Sequence, residues 1–464
     1  MTEPRLPPLA ACLVAAIVAA AGSARAQTVE SSSDRPQYPS TYVRHTYPPV
    51  AITNATIMTA AGAEIVHGSI LLREGRIVAV GSDVQVPPDA IHVDGTGKYV
   101  TPGIIDPHSH LGVYAAPGTD AESDGNELTN PVMSEVWAEH SFWPQDPQIP
   151  LAIAGGVTTI QVLPGSGNLI GGRSAILKLI PARTVQEMKF PGARYGLKMA
   201  CGENPKRVYG QRNQFPSTRM GNMAGYRSAF ILAEAYRRRW DAWRTDHKGD
   251  PPERNLRLET LADVLRGTIY VQNHCYRADE MAQMLDLARE FGFKIRAFHH
   301  AVEAYKVADL LAQAGTAAVV WADWYGFKEE AMDGIQQNAA LLQQAGARIT
   351  LHSDDPGGIQ RLNQEAGKAM YDGQRVGIPV TRDQALRWIT ANPAWVLGID
   401  SIAGTLERGK MADVVIWSGD PFSVYAKALQ VYNDGWLVYD RDDAAHQPRS
   451  DFELNQVSAP GSDR

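Results

Sequence analysis

Between residues 103 and 352 the chain repeats one pattern: a short run of β-branched and aliphatic residues, then a longer polar or helical stretch, then another short run. The runs fall at 103–110, 157–163, 175–180, 195–201, 269–275, 294–300, 316–321 and 348–352. Strands separated by helix-length connections build a parallel sheet, because each return across it needs about a dozen residues or more. Eight is the number of strands that closes on itself. The pattern therefore predicts an α/β fold, a (β/α)8 TIM-like barrel, over residues 103–399. Helical period is clearest at 278–291, 303–314 and 329–345. A glycine follows each stretch (Gly292, Gly315, Gly346), at the position where a left-handed residue ends a helix. One interval breaks the rhythm. Residues 203–268 are too many for a single connection and contain a run at 219–246 rich in Arg, Trp and Tyr, so they are read as an insertion loop over the barrel mouth.

Either side of this body the period changes. Residues 50–102 carry short alternating strands with a turn at Glu74-Gly75, and residues 400–442 answer with strands and turns again. Two β segments flanking an α/β body predict one small β-sandwich domain assembled from both ends of the chain. Ahead of them, Arg5, an apolar run at 9–21 shorter than a membrane span, and the small-x-small site Ala24-Arg25-Ala26 read as a cleaved secretory signal peptide over residues 1–26. The mature chain is then expected to be periplasmic or secreted, with no membrane attachment after cleavage. Residues 27–49 are polar and proline-punctuated, an extended arm, and residues 443–464 read as a disordered tail.

A net charge of −7 over 464 residues leaves no basic footprint, which argues against a nucleic-acid partner. Three cysteines, Cys12, Cys201 and Cys275, are too few for a disulfide scaffold. Cys201 and Cys275 end adjacent predicted strands. A redox pair or a thiolate ligand is one reading; two buried thiols packing as small apolar residues is the favoured one. The glycine-rich stretch 165–173 lacks the lysine-serine ending of a phosphate loop and is read as a mobile loop near the mouth.

In a barrel of this kind the reactive groups project from the C-terminal ends of different strands. Metal-competent side chains sit at those ends. His108 and His110, two residues apart on one strand, face the same way and can grip one ion from one side. His274 closes the run at 269–275, His300 closes the run at 294–300, and Asp354 follows the last. Four histidines and an aspartate, at the ends of four predicted strands, form a specific pattern for a divalent cation centre.

The string TPGIIDPHSH at 101–110, with the ligand order H-x-H, H, H, D, resembles the amidohydrolase superfamily, and its imidazolonepropionase and Xaa-dipeptidase-like branch, across roughly residues 50–440. The resemblance implies the rest of the site. Of His299 and His300, the run HHAVEAY places the ligand at His300; of Asp354 and Asp355, the Ser-Asp pattern favours Asp354. On the fourth strand Lys198 aligns with the lysine that many members carboxylate, while Glu203 sits where others carry a bridging glutamate. Glu203 is preferred for its place at the strand's end. The family pattern further implies two divalent cations, Zn2+ first with Mn, Fe or Co open, and hydrolysis of an amide, lactam or peptide-like C–N bond with Asp354 as general acid and base. The substrate is then a small molecule or short peptide, met by Tyr276, Arg277, Trp321 and Trp324; Arg277 alternatively pairs with an acid of the following helix. Two alternatives stand beside this. One is a one-metal deaminase using His108, His110, His274 and Asp354 on the cation and His300 for proton transfer. The other is a periplasmic binding protein that kept the barrel without turnover. A homo-oligomer is left open.

Overall fold

In the computed structural model residues 38–447 are described; the signal peptide expected at 1–26, the first part of the arm (27–37) and most of the tail (448–464) lie outside them. Five strands precede the body: β1 (Val50–Ile57), β2 (Ile65–Arg73), β3 (Arg76–Gly81), β4 (Ile91–Asp94) and β5 (Tyr99–Pro102). The body holds β6 (Ile104–Ser109), β7 (Val157–Val162), β8 (Ile170–Lys178), β9 (Gly196–Ala200), β10 (Tyr270–Cys275), β11 (Ile295–His300), β12 (Ala317–Val320) and β13 (Ile349–Leu351). After it come β14 (Val414–Trp417), β15 (Ala428–Asn433) and β16 (Trp436–Asp440).

The two outer groups form one mixed sheet in the order β16-β15-β14-β5-β1-β2-β3, with β4 beside β1. Its seam is the antiparallel pair β5 and β14, where Thr101 faces Val415, so the sheet exists only because both ends of the chain meet. Alternation on β14 explains how it is held. Val414 and Ile416 enter the sheet's own core with Ile52, Ile70 and Val100, while Val415 and Trp417 join the core of the body.

The body's strands lie side by side in chain order from β6 to β13. Seven follow the expected parallel course, but β8 runs antiparallel to both β7 and β9. The reason is length. Residues 163–169 link β7 to β8, enough for a hairpin and too few for a crossover helix. The third strand is thus 170–178 rather than 175–180, and Gly171, Gly172 and Arg173 belong to a buried strand instead of a mobile loop. Between β13 and β6 the ladder does not close. The chain at 388–389 bridges them: the Leu351 N–H donates to Trp388 O and the Ile105 N–H to Ile389 O, both at 2.9 Å.

Residues 203–268 fold as three helices, Glu203–Gly210, Arg219–Asp246 and Leu256–Leu265, rather than as a loop. The long one buries Asn222, Tyr226, Ala229, Phe230, Ala233, Tyr236 and Trp240, the three-and-four spacing of a single stripe. Phe230 stacks on Phe293 at 4.5 Å, so most of this helix covers the outer wall. Only its first turn reaches the mouth, where Arg219 lies between Glu280 and Glu330. No helix among the described residues is long and apolar enough to cross a membrane.

Sheet and body are tied by a buried charge cluster. Lys178, at the end of β8 and without exposed surface, puts its Nζ 3.2 Å from Asp413 and 3.3 Å from Asp434. Burial pushes the Asp413 carboxyl up, and Lys178 pulls it back. Lys178→Met strands both carboxylates, a change expected to cost about 3–5 kcal/mol. Urea denaturation should read it as a clear fall in midpoint; an unchanged midpoint would show that the acids find another partner.

Candidate metal centre

β6 ends at the mouth with Pro107, His108 and Ser109, and His110 follows directly. His108 Nε2 and His110 Nε2 are 3.4 Å apart. The last strand reaches the same point: the Asp354 backbone N–H donates to His108 O at 3.2 Å, and its Oδ1 lies 3.4 Å from His108 Nε2 and 3.2 Å from His110 Nε2. Asp354 adopts a left-handed backbone (φ 56°), which turns its side chain back over the cylinder. The triangle's edges match those of a tetrahedron whose corners stand about 2.1 Å from its centre, the distance at which imidazole holds zinc.

Hydrogen bonds fix which nitrogen of each ring is free. Gln272 Nε2 faces Val396 O at 3.5 Å, so its Oε1 must be the atom 2.7 Å from His299 Nε2, and that nitrogen donates. His299 Nδ1 then accepts from His108 Nδ1 at 2.8 Å, which leaves a lone pair on His108 Nε2. His110 Nδ1 donates to Leu163 O at 2.9 Å, with the same result. His299 therefore stands behind His108 as its orienting partner. Its neighbour His300 faces the centre, with its ring 4.7 Å from that of His108 and 4.6 Å from that of His274. On His274, Asn204 Nδ2 approaches Nε2 at 3.3 Å and Nδ1 donates to Ser166 Oγ at 2.9 Å.

The fourth strand separates its two acidic or basic candidates. Lys198 is wholly buried with Nζ 3.2 Å from His108 Nε2. Burial, partly opposed by Asp354, lowers its ammonium to about 7. Glu203, the preferred residue in the sequence, lies on the rim. Gly202, at φ 80°, turns the chain out of the barrel, and Glu203 opens a helix with its carboxylate 3.5 Å from Lys328 Nζ.

Around the centre, Trp321 stacks on His300 at 4.5 Å and Tyr276 at 5.4 Å, both buried, while Trp324 is 41% exposed at the rim. Arg277 does not face the centre; its guanidinium is held by both oxygens of Asp279 at 2.9 Å. Cys201 and Cys275 are joined in a disulfide rather than packed as free thiols. They end neighbouring strands with Cα atoms 5.2 Å apart, within bonding reach.

Two residues escaped the sequence reading. Asp106 accepts from the His108 N–H at 3.1 Å and from the Ser353 N–H at 3.3 Å, tying the first strand to the last where the ladder is open; burial pushes its carboxyl up to about 7. His352 lies two residues before Asp354, with its ring 4.9 Å from that of His300. The spacing H-x-D at a strand end is the signal that would have found it. The donor set fits a divalent cation: two groups, His108, His110, Asp354 and His108, His300, His352, each bring three ligand atoms within 4.8 Å of one another, and His300 Nδ1 and both His352 nitrogens are buried without a hydrogen-bond partner.

The sequence model of the amidohydrolase family matches residues 300–439. An amidohydrolase of known structure from Thermotoga maritima superposes with a TM-score of 0.79 at 36% identity, over 84% of this chain and 100% of that one. Amidohydrolase tasK of Hapsidospora irregularis is 35% identical over 420 residues, 85% of this chain, which spans 42% of the tasK length. Imidazolonepropionase of Sphingopyxis alaskensis is 26% identical over 395 residues, 80% of this chain and 92% of that one. With more than a third of its positions shared along the full length of the Thermotoga protein, the chain belongs to the amidohydrolase family, hydrolases that act on carbon–nitrogen bonds.

Proposed function

We propose that the protein is a secreted hydrolase of amide, lactam or peptide-like C–N bonds in small molecules or short peptides, working with two divalent cations. The observation that carries this reading is the triangle of His108, His110 and Asp354, with both imidazole lone pairs directed to one point. These residues would hold one cation; His274 and His300 would serve a second, with Lys198, as its carbamate, supplying the anionic ligand shared by the two. A lysine brought to about 7 by burial is substantially neutral at physiological pH, the form that adds carbon dioxide. Cations of this kind, Zn2+ or Mn, Fe or Co, acidify a bound water and polarise a carbonyl.

The chain's own groups do the rest. Burial favours a protonated Asp354, but the close approach of His110 and the nearby His352 and Lys198 outweigh it, and its carboxyl is held below the usual range. Asp354 is thus a carboxylate when substrate arrives. It accepts the proton of the attacking water and returns it to the leaving nitrogen, so no charged amide nitrogen has to depart unaided. Trp321 and Tyr276 wall one side of the pocket against bulk water, and Trp324 meets substrate at the rim. Secretion rests on the 1–26 pattern and accords with a disulfide, which persists in an oxidising compartment.

Metal analysis of the purified protein, with turnover of N-acyl amino acids, dipeptides and cyclic amides, tests the reading. About two cations per chain and amide cleavage are expected. A metal-loaded sample inert to the whole panel would overturn it, and ammonia release from aminated heterocycles would replace it with deamination. Lys198→Ala is expected to lose one cation and Glu203→Ala to keep both. The reverse outcome would return the bridge to Glu203.

A further inference from the structure

We propose that His352 is a nitrogen ligand of the second cation, beside His300, which gives that position more imidazole than the strand-end histidines alone supply. This rests on the two-cation reading above and deepens it.

His352 is 2% exposed, and neither of its ring nitrogens has a hydrogen-bond partner. A neutral imidazole carries one donor and one acceptor. Leaving either buried and unmet is unfavourable, so an imidazole without a hydrogen bond at both atoms is a group awaiting something the protein does not supply. The surroundings narrow what that is. On one side lies Trp321, 4.9 Å between rings, which offers no acceptor in its face. On the other lie His300, whose Nδ1 is also buried without a hydrogen-bond partner, and His108. One ligand atom each from His108, His300 and His352 falls within 4.8 Å of the others. His108 has a single lone pair, already directed into the triangle with His110 and Asp354, so His300 and His352 are the members free to serve a separate ion. His352 directly follows β13 and stands two positions before Asp354, so the same chain exit that brings Asp354 to the centre also brings His352. A nitrogen-rich position of this kind selects Zn2+, Co2+, Ni2+ or Fe2+ over Mg2+ and Ca2+.

The test is metal binding. Wild type, His352→Leu and His352→Asn are stripped with chelator and titrated with Zn2+ in a metal buffer, and with Co2+ for its visible absorption. Wild type is expected to take two ions. The variants should take the first normally and the second more weakly by over tenfold, at least the loss that a change beyond the ligands themselves causes. The Co2+ spectrum of the second site should change in intensity, a response a merely structural residue would not give. His352→Leu removes two unmet polar atoms, so its metal-free melting temperature should equal or exceed that of wild type; His352→Asn carries the test if the leucine variant does not fold. Two ions bound by both variants with wild-type affinity overturn this assignment alone. A wild type that binds one ion or none overturns the two-cation reading, and the assignment with it.

Discussion

Asp354→Asn is expected to lower kcat by about a thousandfold or more while the protein still folds. The size follows from two losses at one atom. General acid–base catalysis by a positioned group contributes roughly 10²–10⁴-fold, and the substitution also removes the only anionic oxygen in the triangle with His108 and His110. The fold should survive because asparagine keeps the shape and the backbone N–H bond to His108 O, and because burial already opposes the charge that is removed. Kinetics and metal content measured together divide the effect. Retained cations with a collapsed kcat assign the loss to proton transfer; a lost cation assigns it to binding. A kcat within tenfold of wild type would show that another group moves the proton.

Which parts of this site the sequence could reveal follows from where the information lies. A strand end that leaves a barrel is a local event, written in a few residues, so the candidates His108, His110 and His274 stand out in the sequence, whereas His300 and Asp354 are told from His299 and Asp355 by the family resemblance. The choice between Lys198 and Glu203 was not local. It turns on Gly202, whose positive φ sends the chain out of the barrel before Glu203, while Lys198 stays on the buried strand. The reversed strand β8 was written in the short 163–169 link but hidden by its glycines, which read as loop. Gly172 is there for close approach: a Cβ on it would stand 2.3 Å from Val136 O. In the same way the disulfide and Asp106 depend on which strands become neighbours, since both join groups far apart in the chain. The 219–246 run is helical, as its composition suggested, but which surface it covers is set by an apolar stripe against the outer wall.

The chelator-treated protein is expected to lose stability steeply as pH falls below about 6.5, the ordinary histidine value. His108, His274, His299 and His300 are held neutral far below that value by burial first and by nearby positive groups second, and burial, partly opposed by Asp354, brings His352 to about 3. An unfolded chain binds a proton at each of these rings once the pH drops through about 6.5, whereas the folded chain does not until much lower. Unfolding therefore takes up protons in that window, and acid favours it. Asp106 works the other way. Its carboxyl is raised to about 7, so between there and the ordinary carboxylate range the folded state holds the extra proton and acid favours folding, which cancels one of the five rings. Five rings outnumber the opposing carboxyl, so across this window unfolding takes up a net excess of protons and stability falls as the pH does. Urea midpoints of the metal-free protein should accordingly fall sharply between about pH 6.5 and 5. Divalent cations shift the curve without reversing it, because they bind the same lone pairs that protons do and leave as those are protonated. A midpoint that stays level down to about pH 5 would mean the rings gain their protons inside the fold, and the dry, neutral histidine cluster on which metal binding depends would have to be abandoned.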